Sequence, residues 1–237
     1  MKILVNGPSV ARGAGSWPYI LQEQLEQNIE CDIINLAQAG AGNEYIYATT
    51  ISELAQRKYD LVMVMWCDFR RFDIKVRDIT KFADTTYTSL YQSRQNDWPS
   101  KVIWPENDQD YVEKDWVFGC GYINNEGESV KQLFDEFYNH TDYESHYHRS
   151  LTKIIGLQGV LKSMNQPYLF CSVRELKDLR VNSHLYDMID KQNLVLQTPH
   201  KIAGEIDSWA DPTHPGPEAH TEFVKYLIAN LKERNLV

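Results

Sequence analysis

Short apolar runs alternate along the chain with stretches in which apolar positions recur every three or four residues, and this alternation sets the expected fold. Residues 2–6 (KILVN) form an apolar run ending at Gly7-Pro8, the pattern of a buried strand entering a turn. Residues 31–37 (CDIINLA) and 61–67 (LVMVMWC) read as a second and a third strand, the third apolar almost throughout, as expected where helices cover both faces of a parallel strand. Residues 167–173 (PYLFCSV) give a fourth strand and residues 194–197 a short fifth.

Helical spacing fills the intervals. A helix is expected from Ser16, an N-cap with Pro18 in the first turn, to about residue 27, and another from 43 to about 57, where Ile46, Thr50, Ile51, Leu54 and Ala55 recur. Further helices are expected at about 129–139, at about 145–164 with Leu151, Ile154, Ile155, Leu157, Val160 and Leu161 as its buried stripe, and near 183–191. The last, at about 217–234, carries Phe223, Val224, Leu227, Ile228 and Leu231 on one face.

Strands alternating with helices imply the α/β class, because parallel strands need crossover connections that pack back on the sheet. The expected architecture is a three-layer α/β/α sandwich around a mostly parallel, flavodoxin-like five-stranded sheet, read as a single domain over residues 1–237. Periodicity of either kind stops between about 68 and 128, a stretch rich in Tyr, Trp, Asp and Asn that contains Pro99 and Pro105. So long a patternless interval is expected to be an insertion or lid over the substrate site. Its aromatic residues, Tyr87, Tyr91, Trp98, Trp104 and Trp116 among them, fit a small core of its own better than a sugar-stacking surface.

A formal charge of -9 argues against nucleic acid as a partner. The basic stretch Arg70, Arg71, Lys75 and Arg77 is interrupted by Asp73 and Asp78 and is expected to be a solvated mixed-charge face. Cys31, Cys67, Cys120 and Cys171 show no C-x-x-C spacing and are expected to be buried thiols. No window approaches the roughly 18 apolar residues of a membrane span, and Met1-Lys2 leads into the first strand without the apolar region of about 7 to 15 residues that marks a signal peptide. A cytoplasmic protein is therefore expected.

In an open parallel sheet the ligand lies at the carboxyl ends of the strands, which directs attention to three loops. Gly7-Pro8-Ser9 follows strand one and sets the Ser9 hydroxyl at the sheet edge; taken alone, such a serine is more often a turn former or helix cap. Residues 38–43 (QAGAGN) follow strand two, and small residues there let backbone N–H groups approach a ligand. Residues 209–220 (WADPTHPGPEAH) precede the last helix, with Asp211 and His214 at a spacing that lets a carboxylate hold an imidazole.

Together, the early serine, the glycine turn after strand two and Asp-x-x-His before the terminal helix resemble the first, second and fifth sequence blocks of the SGNH (GDSL-type) hydrolases. Gly13, four residues after Ser9, extends the match to the family's first segment. The resemblance implies a serine esterase without cofactor or metal, acting on a small-molecule or carbohydrate ester. It implies Ser9 as nucleophile, His214 as base and Asp211 as its orienter, with Ser9 and Gly40 N–H groups as oxyanion donors and Asn43 bracing the loop. Ser9 Oγ is expected within hydrogen-bond reach of a His214 ring nitrogen.

Two departures separate this chain from the family pattern. Pro8 stands where Asp is usual, and the third block, which usually supplies an Asn donor, reads Cys67-Asp68-Phe69-Arg70. An ionised Asp68 cannot donate, so either Arg70 or another group substitutes or the hole has two donors. The alternative reading is a weak or inactive ligand- or carbohydrate-binding protein on the same fold. His140, His146 and His148, with Asp142 and Glu144, match no standard zinc spacing, and residues 7–16 (GPSVARGAGS) lack the lysine of a phosphate loop, so neither metal nor nucleotide is expected.

Overall fold

In the computed structural model, which describes residues 1–13, 15–75, 116–119, 136–178, 181 and 183–237, the chain runs from strand to helix as follows. β1 (Lys2–Asn6), α1 (Trp17–Leu25), β2 (Asp32–Asn35), α2 (Asn43–Leu54) and β3 (Leu61–Trp66) lead to β4 (Phe72–Lys75) and β5 (Trp116–Gly119). Then come α3 (Tyr143–Ser163), β6 (Tyr168–Ser172), α4 (Pro199–Ile206), β7 (Trp209–Asp211), β8 (His214–Pro215) and α5 (Pro217–Glu233).

Four of these strands form one parallel sheet in the order β2-β1-β3-β6, with Ile3 opposite both Ile33 and Leu61, and Met63 opposite Leu169. Strand alternation divides the core between two faces. Ile3, Val5 and Met63 meet Trp17 and Leu21 of α1, Ile202 of α4 and Phe223 and Leu227 of α5. Leu4, Val62 and Val64 meet Tyr45 and Ile46 of α2 and Ile154 and Leu157 of α3 on the other face. The result is an α/β/α sandwich whose strands are apolar on both sides because neither side meets water.

The expected fifth strand is reduced to one parallel bridge between Leu194 and Phe170, so the sheet has four strands among the described residues. Near 183–191 the expected helix is replaced by 3₁₀ turns at Tyr186–Met188 and Lys191–Asn193; the Asp190 side chain accepts from Gln192 N–H, closing a local turn that competes with a helix. Most of the expected insertion at 68–128, and of the expected helix at 129–139, lies outside the described residues. The described parts of the insertion include the antiparallel pair β4 and β5. Cys31, Cys67 and Cys171 are buried, and burial pushes the Cys67 thiol up to about 12; Cys120 lies outside the described residues. Among the described residues, no helix is long and apolar enough to cross a membrane.

The strand order reverses between β1 and β3, because the chain first adds β2 on one side of β1 and then returns to its other side. In sheets of this kind such a reversal marks the ligand-binding edge, here the carboxyl ends of β1 and β3. The packing is tight there: a Cβ on Gly7 would lie 3.0 Å from the Cβ atoms of both Ala11 and Met65, so a side chain at the turn toward Ser9 would have to push its neighbours aside.

Candidate active site

Past Gly7-Pro8 the backbone closes a 3₁₀ turn at Ser9–Ala11, with Ala11 N–H donating to Pro8 O at 2.9 Å and Arg12 N–H to Ser9 O at 3.0 Å. Two buried asparagines brace this turn. Asn35, at the end of β2, donates to Ala11 O at 2.8 Å and accepts from Ala37 N–H at 2.9 Å. Asn6, at the end of β1, donates to Ile46 O and to the hydroxyls of Thr49 and Thr50, while its oxygen accepts from Gly7 N–H at 2.8 Å. Buried amides with this many partners fix the chain, since breaking any one strands a desolvated group.

The Ser9 hydroxyl lies 2.9 Å from His214 Nε2. On the opposite side of the ring, His214 Nδ1 lies 2.8 Å from Asp211 Oδ2. With the ring proton on Nδ1, that nitrogen donates to the carboxylate and Nε2 is left to accept from Ser9.

Asp211 also shapes the backbone that carries the imidazole. Its Oδ1 accepts from Thr213 N–H at 2.7 Å, the Thr213 hydroxyl at 2.7 Å and His214 N–H at 2.9 Å, an Asx-type turn in which Pro212 needs no donor partner. The Thr213 hydroxyl is the largest influence holding the Asp211 carboxyl down to about 2; slight burial opposes it, and Thr213 N–H and His214 add to it. The turn rests on α4, where His200 Nε2 donates to Thr213 O at 2.9 Å and the ring meets Trp209 edge to face. Burial, reinforced by the charge of Arg174, pushes His200 down to about 4, so it supports the loop as a neutral donor. Neither His200 nor the β7–β8 pair that carries Asp211 and His214 was among the elements expected from the sequence, although Thr198-Pro199 is a cap-and-first-turn signal.

The other anticipated residues fall into two groups. Gly40 has φ of +82°, and neither its N–H nor that of Ser9 has an acceptor among the described residues. Asn43 ties its helix to the end of β3, donating to Cys67 O at 3.2 Å and accepting from Cys67 N–H at 2.8 Å. Asp68 and Arg70 are joined to each other, through Arg70 Nε at 3.0 Å and a terminal nitrogen at 2.9 Å, and no hydrogen bond links either to Ser9 or His214. Burial opposes the Asp68 charge, but the bonds and charge of Arg70, with Arg174, outweigh it and keep the carboxyl below its ordinary range.

The solvated mixed-charge face expected for residues 70–77 is corrected at Asp73, which is 3% exposed. Its carboxylate accepts from Gly42 N–H and Tyr45 N–H, partners contributed by backbone and therefore invisible in a composition count.

Neither a known family model nor a curated protein sequence matches the chain. Solved structures do. The psychrotrophic esterase EstA from a Pseudoalteromonas species, in a structure inhibited by monoethylphosphonate, superposes with a TM-score of 0.52 at 10% identity, over 98% of this chain and 97% of that one. TesA gives 0.52 at 12% identity over the whole of both chains, and the acetyl xylan esterase AlAXEase 0.51 at 11% identity over 97% of this chain and 98% of that one. The chain shares the α/β/α fold of these structures. In that fold as this sequence builds it, the serine turn and the histidine loop meet at the edge where the strand order reverses.

Proposed function

We propose that the chain is a serine esterase with Ser9, His214 and Asp211 as its catalytic triad, cleaving short-chain or carbohydrate-borne O-acyl esters. The observation that carries this reading is the continuous hydrogen-bonded line from the Ser9 hydroxyl through His214 to Asp211, at 2.9 and 2.8 Å. His214 Nε2 takes the Ser9 proton as Oγ attacks the ester carbonyl, and the oxyanion is held by the N–H groups of Ser9 and Gly40. Collapse expels the alcohol, protonated by His214, and leaves an acyl-serine; water activated by the same nitrogen then releases the acid. Asp211 stays ionised throughout, stabilising the imidazolium rather than accepting its proton. The His214 and Asp211 side chains are 38% and 50% exposed, which suits an acyl group carried on a bulky sugar, as does a fold shared with an acetyl xylan esterase.

One observation favours the rival reading of a ligand-binding protein: Asp68, locked to Arg70, stands where the family's donor Asn is expected, and loss of one oxyanion donor costs roughly 10²–10³ in rate. Fluorophosphonate labelling and short-chain aryl ester turnover separate the two. The expected result is labelling at Ser9, with labelling abolished in Ser9→Ala and turnover reduced by about 10⁴ or more. Absence of both labelling and turnover in the wild type would leave the binding protein as the reading.

A further inference from the structure

We infer that Asp73 and Arg71 are positioning residues that clamp the Gly40–Gly42 turn and so set the oxyanion donor; the inference rests on the esterase reading above. Asp73 reaches from β4 to the start of α2, where Gly42, the N-cap residue, has no side chain to satisfy the helix's free amides. Each Asp73 oxygen accepts from Gly42 N–H at 2.8 Å, and one also accepts from Tyr45 N–H at 3.0 Å. The free N–H groups and the helix dipole favour a carboxylate at this end of a helix, and here they offset part of the burial that works against its charge. Arg71 grips the same turn by its acceptor, a terminal nitrogen donating to Ala41 O at 3.2 Å. The turn is thus held from its N–H side and its carbonyl side at once.

The fit leaves no room for a side chain. A Cβ on Gly42 would lie 2.8 and 2.9 Å from the two Asp73 oxygens and 3.0 Å from the Arg71 Cβ. Glu44 on α2 is the carboxylate that opposes the Asp73 charge, and α3 answers it with Lys153 at 2.8 Å and Arg149 at 3.9 Å. Arg149 also donates to Arg71 O at 3.2 Å, fixing the strand that carries the clamp. Gly40 therefore sits between two anchors: Gln38 N–H bound to Gly7 O at 3.0 Å on one side, and the Asp73 clamp at Gly42 on the other. With no Asn in the third block, the transition state depends the more on where Gly40 points. The same short segment after β3 that lost the family's donor holds the loop that keeps another.

The test uses Asp73→Ala, Asp73→Asn and Gly42→Ala, each checked for cooperative melting, with kcat and KM on a short aryl ester and the rate of fluorophosphonate labelling. Gly42→Ala pushes the clamp away without changing charge. The expected result is kcat and labelling lowered by about 100-fold in Asp73→Ala and Gly42→Ala, KM within about threefold of wild type, and partial recovery in Asp73→Asn, which keeps an acceptor oxygen. Folded variants with wild-type kcat and labelling overturn the clamp while leaving the esterase reading intact. Three variants that all fail to fold overturn it too, since a purely structural role then accounts for the residues. A wild type that is never labelled sinks the esterase reading and the clamp with it.

Discussion

The two halves of the candidate site are held by opposite means. Ser9 sits on a turn fixed by partners far away in the sequence: Asn35 reaches it from β2, and Met65 of β3 packs closely against Gly7. His214 sits on a loop fixed mostly by itself, with four contacts from the Asp211 carboxylate to residues no more than three positions away. One half is rigid because the sheet is; the other takes most of its rigidity from the Asp211 side chain, with His200 of α4 holding Thr213 O from outside. Perturbing the first should therefore register as lost stability, and perturbing the second as lost turnover with the fold intact.

The largest effect that sharpens this contrast is expected at Asp211. Asp211→Asn preserves a carbonyl oxygen for the turn but faces His214 Nδ1 with the wrong polarity, and a change of this kind drops kcat by about 10⁴ in a serine protease triad. Half-exposed Asp211 should give a similar or somewhat smaller loss, with the urea midpoint unchanged. A variant that unfolds more readily would show the loop leaning on the rest of the molecule and break the comparison. Next comes Asn35→Ala, which strands Ala11 O and Ala37 N–H inside the protein; a loss of about 2–3 kcal/mol in denaturant unfolding is expected.

The smallest effect is one of pH. His220, buried in the first turns of α5, is pushed down to about 4 by burial and then by the charges of His200 and His214. The unfolded chain takes up that proton nearer the ordinary histidine value of about 6.5, so this residue's contribution to stability is complete above that pH and is lost as the pH falls toward 4. Asp73, which burial pushes up to about 7, has the opposite sign: its contribution is complete below the ordinary carboxylate value and is lost as the pH rises through 7. The gap in urea midpoint between His220→Phe and wild type should shift in favour of the variant on acidification from 6.5 to 4; an unchanged gap would show that His220 is not held neutral.

What the sequence makes legible follows the same division. β1, β3 and β6 announce themselves because strands covered on both faces are apolar almost throughout, β2 by its buried Ile33 and Ile34, and α1, α2, α3 and α5 because one stripe of each is buried. Asp211 and His214 stand out because their relation is local and keeps a fixed spacing. α4 escapes notice because its eight residues offer little more than Ile202 and Ala203 to the core. β7 is invisible for the converse reason, since all three of its residues are exposed and impose no apolar pattern. Asp73 is hidden more deeply: its partners are backbone amides about thirty positions away, which any sequence could supply, so nothing at residues 42–45 marks the need for it.

The self-sufficiency of the Asp211 turn has a consequence for engineering. Asp-Pro-Thr-His is a four-residue cassette in which one acid sets both the path of the chain and the tautomer of the ring. Grafted whole onto another protein's hairpin, it should arrive with its imidazole already aimed. Transplanting the serine turn, by contrast, means transplanting the sheet.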